Sequence, residues 1–261
     1  MNVSRRITNP SVVASLLAAS LCSAACARQA GASNSARAED AKPAASASAT
    51  PAAPGGVVLR DVPEKIDPLA KYLFYLHGRI IEVQGVRPRH ERHGFYEYEE
   101  IMRTLAARGF HVVSEPRPSD TDHIEYARKV VSQIGRLLTA GMPARNVTVV
   151  GASKGGAIAV FVSTLLRNRD VNFVVLAGCG DGGPYRQHKV DLYGRILSVY
   201  DTADEFGGPE GGGVSCAKFY KQSTGINESR EIEVKLGVGH GLLYKPFKEW
   251  VDPAVEWANG R

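Results

Sequence analysis

The sequence predicts an α/β protein with a doubly wound, mostly parallel sheet and helices on both faces. From residue 71 to the end of the chain, short apolar runs alternate with helical patterns. Several of the short runs are apolar throughout, which indicates strands that are buried on both sides in a parallel sheet. Glycine-rich breaks follow these runs, and ligands of such folds bind at the carboxyl ends of the strands.

Six segments are predicted as strands because they are short and rich in β-branched, aromatic and leucine residues. In chain order they are residues 71–78, 110–115, 146–151, 172–178, 195–201 and 231–237. Four segments are predicted as helices because their apolar residues recur every three or four positions and several close on a glycine. These are residues 98–109, 122–141, 155–168 and 253–260. The connection across residues 178–194 is under about 20 residues long, so we expect no large cap domain and an open site.

Residues 1–27 are predicted to be an export signal. Arg5 and Arg6 precede an apolar run over residues 12–27, which is too short to cross a bilayer comfortably. Small residues permit cleavage after Ala25 or Ala27. Cys26 follows two alanines and resembles the acylated cysteine of bacterial lipoproteins, so a lipid anchor there is the one membrane attachment expected. The predicted location is periplasmic or secreted, with or without that anchor.

Residues 28–57 are predicted to be a disordered linker, since they are mainly Ala, Ser and Pro with almost no large apolar side chain. The folded domain is then residues 58–261. It holds Cys179 and Cys216, for which a bridge and two separately buried thiols both remain open. The net charge is +5, but the basic residues do not interleave with aromatic ones, so we expect no nucleic-acid partner.

The stretch Gly151-Ala152-Ser153-Lys154-Gly155 breaks a valine-rich strand just before a predicted helix. A serine on such a sharp turn projects its hydroxyl outward, and the residues two positions away on either side must lack bulk. Gly151 and Gly155, with Gly156, meet that need. Ser153 is therefore the candidate nucleophile, and the alternative is a tight turn without chemistry.

A serine needs a base to take its proton, and His240 is the best candidate. It follows the last predicted strand in a glycine-bracketed loop, GVGHGLLY. The acid that orients the imidazole should follow a strand between Ser153 and His240. Asp204 is preferred, Asp201 is the alternative acid, and either carboxylate would also serve to cap the following turn.

His77-Gly78 closes the first of the six predicted strands and resembles the His-Gly pair that shapes an oxyanion hole. A backbone N–H of Gly78 or Arg79 would be one donor, and the backbone N–H of Lys154 the other. In this arrangement His77 is structural.

These motifs together resemble the α/β-hydrolase superfamily, in which the serine, the acid and the histidine follow one another in this order. The resemblance covers the chain from about Lys71 to its end. It implies a serine hydrolase that cleaves carboxylic esters through a Ser153-His240-Asp204 triad and an acyl-enzyme, with no metal or cofactor. Thioesters or amides are the alternative substrates, and a binding protein without turnover is the alternative from another class.

Two further patterns have competing explanations. Residues 178–183 (GCGDGG) with Asp201 fit a dinucleotide-binding pattern, but the polar sequence that follows is a poor helix start, so a loop near the active site is favoured. Basic side chains also cluster after Gly78 and oppose only Glu82 and Glu91; they are Arg79, Arg87, Arg89, His90, Arg92 and His93. They form either a solvated loop or a rim that attracts an anionic small-molecule ester.

Overall fold

Seven parallel strands form the central sheet of the chain, in a computed structural model that describes residues 55–180, 182–207 and 214–260. The described strands are β1 (Val58–Leu59), β2 (Lys71–Leu76), β3 (Arg89–His90), β4 (Gly94–Phe95), β5 (Phe110–Val113), β6 (Val147–Ala152), β7 (Asn172–Leu176), β8 (Tyr193–Asp201) and β9 (Gly225–Val234). The described α-helices are α1 (Arg79–Gln84), α2 (Tyr98–Ala107), α3 (His123–Thr139), α4 (Lys154–Leu166), α5 (Ala217–Gln222) and α6 (Lys248–Ala258).

The sheet runs in the order β1-β5-β2-β6-β7-β8-β9, and every pairing within it is parallel. Strands β3 and β4 form a separate antiparallel hairpin. Each parallel neighbour requires a crossover connection, and helices supply most of these crossovers. The central strands β2, β6 and β7 are almost entirely buried, as their continuous apolar sequences predict.

Two hydrophobic cores lie on the two faces of the sheet. Alternate residues of one strand point to opposite faces, so Leu73 and Tyr75 belong to one core while Phe74 belongs to the other. Helices α2 and α6 cover the first face, and α3, α4 and α5 cover the second. This arrangement confirms the predicted fold class, and it agrees with the α/β-hydrolase resemblance of the motifs.

Helix α4 is apolar on all sides because it packs between the sheet and α3. Across the connection at 178–194, the described residues form one short 3₁₀ turn at Gly183–Arg186 and no cap domain.

Two predicted elements start several residues earlier than expected. Strand β9 starts at Gly225 instead of residue 231. It lies at the edge of the sheet, and most residues of its first half are exposed, so that half shows no apolar pattern. Helix α6 starts at Lys248 instead of residue 253, and Pro253 lies inside it. Proline is common at the first position of a helix, which is why the start was predicted at Pro253. Burial of Trp250 and Val251 on the sheet instead extends the helix toward its N-terminus. The short elements β1, α1, α5 and the β3–β4 hairpin were not predicted.

Most of the predicted N-terminal segments lie outside the described residues. This holds for the export signal at 1–27, for the anchor at Cys26 and for residues 28–54 of the linker. The last linker positions are ordered, since Gly56 N–H donates to Ala106 O at 2.9 Å and Val112 N–H donates to Val57 O at 2.8 Å. Within the described ranges, none of the helices combines the length and apolar character that a bilayer crossing requires.

A disulfide joins Cys179 to Cys216, with their Cα atoms 5.0 Å apart. Of the two states left open by the sequence, the structure therefore has the bridge. Cys179 follows β7 and Cys216 directly precedes α5, so the bond holds a loop at the carboxyl edge of the sheet against the start of that helix.

Candidate active site

Ser153 lies on a sharp turn between β6, which ends at Ala152, and α4, which begins at Lys154. Its backbone has φ 54° and ψ −116°, a conformation that residues with a side chain rarely adopt. A hydrogen bond from Ser153 N–H to Leu176 O, 2.9 Å long, holds the turn against β7. The strand therefore ends in a strained elbow that carries one hydroxyl at the carboxyl edge of the sheet.

The glycines around Ser153 are required by close backbone contacts. A Cβ on Gly151 would lie 2.2 Å from Gly155 O, and a Cβ on Gly155 would lie 1.9 Å from Leu76 O. A Cβ on Gly156 would come within 2.7 Å of Gly178 Cα. The start of α4 thus packs directly on neighbouring strand ends, which is the physical reason for the glycines of the motif.

His240 lies in a short 3₁₀ segment after β9, at Gly239–Leu243, and its imidazole is paired with Asp204. The distance from His240 Nδ1 to Asp204 Oδ2 is 2.8 Å, and both side chains are nearly buried. The Phe206 ring packs against the imidazole, with the ring centroids 4.7 Å apart. Because an ionised carboxylate only accepts hydrogen bonds, the pairing assigns a proton to Nδ1 and leaves Nε2 as an acceptor in the neutral ring.

Asp201 has a different set of partners. Its Oδ1 accepts the Ala203 N–H at 2.9 Å and its Oδ2 accepts the Val238 N–H at 3.1 Å. The structure therefore brings Asp204 to His240, while Asp201 ties the turn after β8 to the loop that precedes His240.

Ser153 and His240 line the same cavity, whose volume is about 630 Å³. This size falls in the range of small-molecule sites. Among the described residues, Ser153 Oγ has no hydrogen-bond partner. The serine and the imidazole of His240 therefore line the same cavity but are not hydrogen-bonded to each other. Such contacts are commonly loose in unliganded enzymes and tighten when substrate binds.

The predicted oxyanion-hole residues lie beside the serine. A Cβ on Gly78 would be 3.7 Å from Ser153 Cβ, so the Gly78 backbone packs against the elbow. Gly78 N–H points to Tyr96 Oη at 3.4 Å. Arg79 and Lys154 are the first residues of α1 and α4, where a backbone N–H has no acceptor within its own helix. Arg79 and Lys154 thus each begin a helix with a backbone N–H that an oxyanion could engage.

His77 is fully buried and holds the backbone, as predicted. Its Nδ1 lies 2.8 Å from Gly78 O, and its Nε2 accepts the Arg117 N–H at 2.9 Å. Burial, together with the nearby Arg117 charge, lowers the pKa of His77 to about 3. The imidazole is thus neutral, with its proton on Nδ1.

A buried charge cluster next to the elbow was not predicted. Glu82 was expected in a solvated loop or on a charged rim, but it is buried between two cations. Its Oε1 lies 2.8 Å from Arg117 Nε, and its Oε2 lies 2.6 Å from Lys154 Nζ. Arg117 also donates to His77 O. The cluster fixes the Lys154 side chain beside the cavity, and the only sequence signal was a glutamate four residues after the His-Gly turn.

Glu205 is a second unpredicted link in the site. Its Oε2 accepts the His240 N–H at 3.1 Å, and its Oε1 lies 2.7 Å from His93 Nε2. Burial disfavours its charge, but backbone N–H groups and His93 outweigh that effect and lower the pKa of Glu205 to about 2. An ionised Glu205 therefore connects the His240 loop to the β3–β4 hairpin.

The remaining histidines divide into two groups. His90, His93 and His123 line the cavity. His111 and His188 do not line it; their rings contact Tyr72 and Phe161. Within the described residues, no group of three or more His, Cys, Asp or Glu side chains is arranged to hold a metal ion.

The competing dinucleotide pattern at 178–183 has no helix after it; the chain turns through a short 3₁₀ segment instead. Gly178 packs against Gly156 of the elbow. Just before it, Ala177 lines the cavity, as the alternative of a loop near the active site predicts.

No protein-family model matches the sequence, and no curated protein matches it. Among solved structures, SOBER1 of Arabidopsis thaliana is similar at 16% identity and a TM-score of 0.46, over 71% of this chain and 99% of that one. Est1E of Butyrivibrio proteoclasticus, solved with ferulic acid, is similar at 14% identity and 0.48, over 75% and 90%. A predicted CIB-like hydrolase of Thermoplasma acidophilum is similar at 18% and 0.44, over 73% and 87%. The fold class rests on the sheet and its two helical layers rather than on these scores.

Proposed function

We propose that this chain, whose fold agrees with that of the α/β-hydrolases, is a serine hydrolase that cleaves carboxylic esters through an acyl-enzyme. The observation that carries the proposal is the shared cavity of Ser153 and His240, with Nδ1 of His240 held 2.8 Å from the buried carboxylate of Asp204. A strained serine, an oriented imidazole and an acid are the parts that nucleophilic acyl transfer requires.

In the first half-reaction, Ser153 Oγ attacks the ester carbonyl carbon while His240 Nε2 takes the hydroxyl proton. The backbone N–H groups of Arg79 and Lys154 stabilise the oxyanion of the tetrahedral intermediate. The carbon–oxygen bond to the leaving alcohol then breaks, and His240 returns its proton to that alcohol. Asp204 stabilises the imidazolium and keeps the ring oriented in both steps.

In the second half-reaction, His240 removes a proton from water, and the resulting hydroxide adds to the acyl-enzyme carbonyl. The bond to Ser153 Oγ breaks, the serine regains its proton from His240, and the carboxylic acid leaves. Lys154 does not compete as the base, because its Nζ is paired with Glu82 Oε2 at 2.6 Å.

The cavity also supports a proposal about the acyl group. It is open to solvent, and the described residues contain no cap domain to enclose a long chain. Small or exposed acyl groups are therefore favoured. Thioesters and amides would react through the same groups and are to be tested beside esters.

We propose in addition that the protein is exported. The Cys179–Cys216 disulfide supports this, because disulfides form and persist in oxidising compartments and are rare in the cytosol. The predicted signal at residues 1–27 adds an independent argument from sequence, and a lipid anchor at Cys26 remains part of the proposal.

A fluorophosphonate probe tests the proposed function directly, since it reacts with activated serines. The wild-type protein should be labelled at Ser153, and Ser153→Ala should not be labelled. Ser132→Ala, at an exposed position on α3, is the matched control and should be labelled like the wild type. An unlabelled wild-type protein would favour the alternative of a binding protein without turnover.

The pH profile tests the role of His240. Hydrolysis of a short 4-nitrophenyl ester should decline toward acid pH, because a protonated imidazole cannot accept the serine proton. A rate that is constant from acid to alkaline pH would remove His240 from the mechanism.

A further inference from the structure

The cavity wall beside Ser153 carries more positive than negative charge. We call this surface the basic wall and define it as Arg79 and Lys154, which line the cavity, with Arg117 and Glu82 buried behind them. Its excess charge is not required by the proposed chemistry alone, in which Arg79 and Lys154 contribute only backbone N–H groups.

Within the basic wall, the single carboxylate of Glu82 is paired with two cations. Glu82 pairs with both Arg117 and Lys154, and the side chains of Glu82 and Arg117 are 0% exposed while that of Lys154 is 10% exposed. Arg117 Nη1 is buried and makes no hydrogen bond within the described residues. One net positive charge therefore remains in a poorly solvated place, where its field is weakly screened.

The Arg79 side chain adds a second charge that has no acidic partner among the described residues. It is exposed, it lines the cavity, and its backbone directly follows Gly78, which packs on the serine. Val83 stands one helical turn further along α1, also lines the cavity, and is 59% exposed. Arg79 and Val83 thus form one face of α1, with a guanidinium at the serine end and an apolar side chain next to it.

Among the described residues, Glu205 is the acidic group on the cavity wall, and it is already engaged elsewhere. Glu205 accepts from His93 and from the His240 backbone, and Arg92 Nη1 lies 3.9 Å away. His123, on the same cavity, has its pKa lowered by burial and then by the Lys154 charge, so at neutral pH its imidazole is uncharged and leaves the charge balance of the wall unchanged. The Arg79 guanidinium is consequently available to a ligand.

We propose that the substrate is an ester that also bears a carboxylate, which binds the Arg79 guanidinium while its hydrocarbon part packs on Val83. Guanidinium groups bind carboxylates through paired hydrogen bonds, which makes Arg79 a specificity-determining residue. This inference rests on the proposed function and names its substrate class. It also gives the exposed Val83 a role in contacting the carbon chain between the ester and the acid.

Two pairs of matched esters test the inference, one with the charge on the acyl side and one with the charge on the leaving group. The first pair is mono-4-nitrophenyl adipate and 4-nitrophenyl hexanoate. The second is 4-acetoxybenzoate and its neutral methyl ester. In at least one pair, the wild-type kcat/KM should be about tenfold or more higher for the anionic member, after the rate with Ser153→Ala is subtracted.

The preference should depend on Arg79 in particular. Arg79→Gln should bring the ratio of the two kcat/KM values close to one, and Arg79→Lys should restore part of it. Arg87→Gln removes an exposed arginine that does not line the cavity, so the ratio should be retained. An equal loss in Arg87→Gln would indicate general charge attraction and overturn the assignment to Arg79.

The remaining outcomes separate the two proposals. Equal hydrolysis of both members in both pairs overturns the inference and leaves the proposed function standing. Absence of hydrolysis together with absence of fluorophosphonate labelling overturns the proposed function, and the inference with it. Retention of the preference in Arg79→Gln overturns the inference alone.

Discussion

Asp201 and Asp204 lie three residues apart after the same strand, yet only one of them contacts the imidazole of His240. Asp204 Oδ2 is 2.8 Å from His240 Nδ1, whereas both oxygens of Asp201 accept backbone N–H groups. A carboxylate that orients the imidazole and one that shapes a turn should respond differently to the same isosteric substitution.

Asp204→Asn should lower kcat for a short ester by roughly 10³- to 10⁴-fold, since an amide stabilises the wrong imidazole tautomer. Asp201→Asn should lower kcat less than about tenfold and act mainly on stability, since it loses one acceptor for a backbone N–H. Steady-state kinetics of both variants measures the loss of kcat, and urea unfolding measures the loss of stability. A larger kinetic loss in Asp201→Asn would reverse the roles of the two aspartates.

His77 is a buried histidine whose charge state links stability to pH. Its folded-state pKa is about 3, well below its ordinary value of 6.5. Between these two pH values the unfolded chain carries a proton on this residue that the folded chain does not. The contribution is therefore fully present above about pH 6.5 and is lost as pH falls toward the folded-state pKa.

From pH 6 to pH 4, the free energy of unfolding should fall by about 1.4 kcal/mol per pH unit because of His77 alone. His77→Asn should reduce that slope by about the same amount, whatever its effect on overall stability. Urea unfolding of the wild type and of His77→Asn at pH 4, 5 and 6 gives the two slopes. Other titrating groups, such as Glu205, add the same pH dependence to both proteins, so the difference between the slopes reports on His77. Identical slopes would show that His77 titrates normally.

At the scale of elements, the junction of β6 and α4 depends on backbone atoms that touch. Leu76 lies opposite Gly151 in the register of β2 and β6, and its carbonyl oxygen would be 1.9 Å from a Cβ on Gly155. The strand pairing prevents Leu76 from moving away, so a side chain at position 155 must displace the start of α4 and with it Ser153.

Gly155→Ala should therefore lower the free energy of unfolding by about 3 kcal/mol or more and reduce fluorophosphonate labelling of Ser153. Gly135→Ala is the matched control within α3, because a Cβ there meets no atom within 4 Å. The control should raise stability by about 0.5 to 1 kcal/mol through helix propensity. Equal effects of the two substitutions would contradict the contact-based explanation of the motif.

The long periodic elements could be predicted from sequence, and the short ones could not. Helix α3 has a clear apolar stripe and an Asp122 cap that accepts the N–H groups of Ile124 and Glu125. Helix α1 has six residues, and the β3–β4 hairpin pairs two residues on each side, so neither has enough length for a period to appear. The polar outer half of β9 was missed because an edge strand needs no apolar alternation.

The three side chains at motif turns could likewise be predicted to lie together at one edge of the sheet, while the residues that support them could not. Ser153, Asp204 and His240 stand at turns that glycine and strand patterns mark. Glu82 and Arg117 are 35 residues apart, and only the packing of α1 beside the end of β5 brings them together. A charged residue in a sequence gives no sign of whether it will be solvated or buried in a pair.

At the scale of the whole molecule, the parallel sheet assembles residues that are distant in the chain. Strands β6, β8 and β9 end at Ala152, Asp201 and Val234, shortly before Ser153, Asp204 and His240. Parallel neighbours present their carboxyl ends at one edge, so the order of strands alone gathers these three side chains. The loops at that edge still have to be held in place, and the disulfide contributes to this.

The Cys179–Cys216 bond lies close in sequence to two residues that line the cavity. Ala177 and Val214 line the cavity, and each stands two residues before one of the bonded cysteines. The bond closes a loop with a sequence separation of 37 residues. Replacing both cysteines by alanine should therefore increase KM as well as lower stability, since the loop carries part of the binding surface.

For a loop of this length, the Cys179→Ala/Cys216→Ala variant should lose about 4 kcal/mol of unfolding free energy, because the unfolded chain gains entropy when the crosslink is removed. Urea unfolding with and without a reductant measures the effect. Reductant should shift the wild-type transition toward that of the variant and leave the variant unchanged, so each protein controls for the other. A variant as stable as the wild type would show that packing alone holds these loops, because Cys179 and Cys216 would then contribute no more than two small buried side chains.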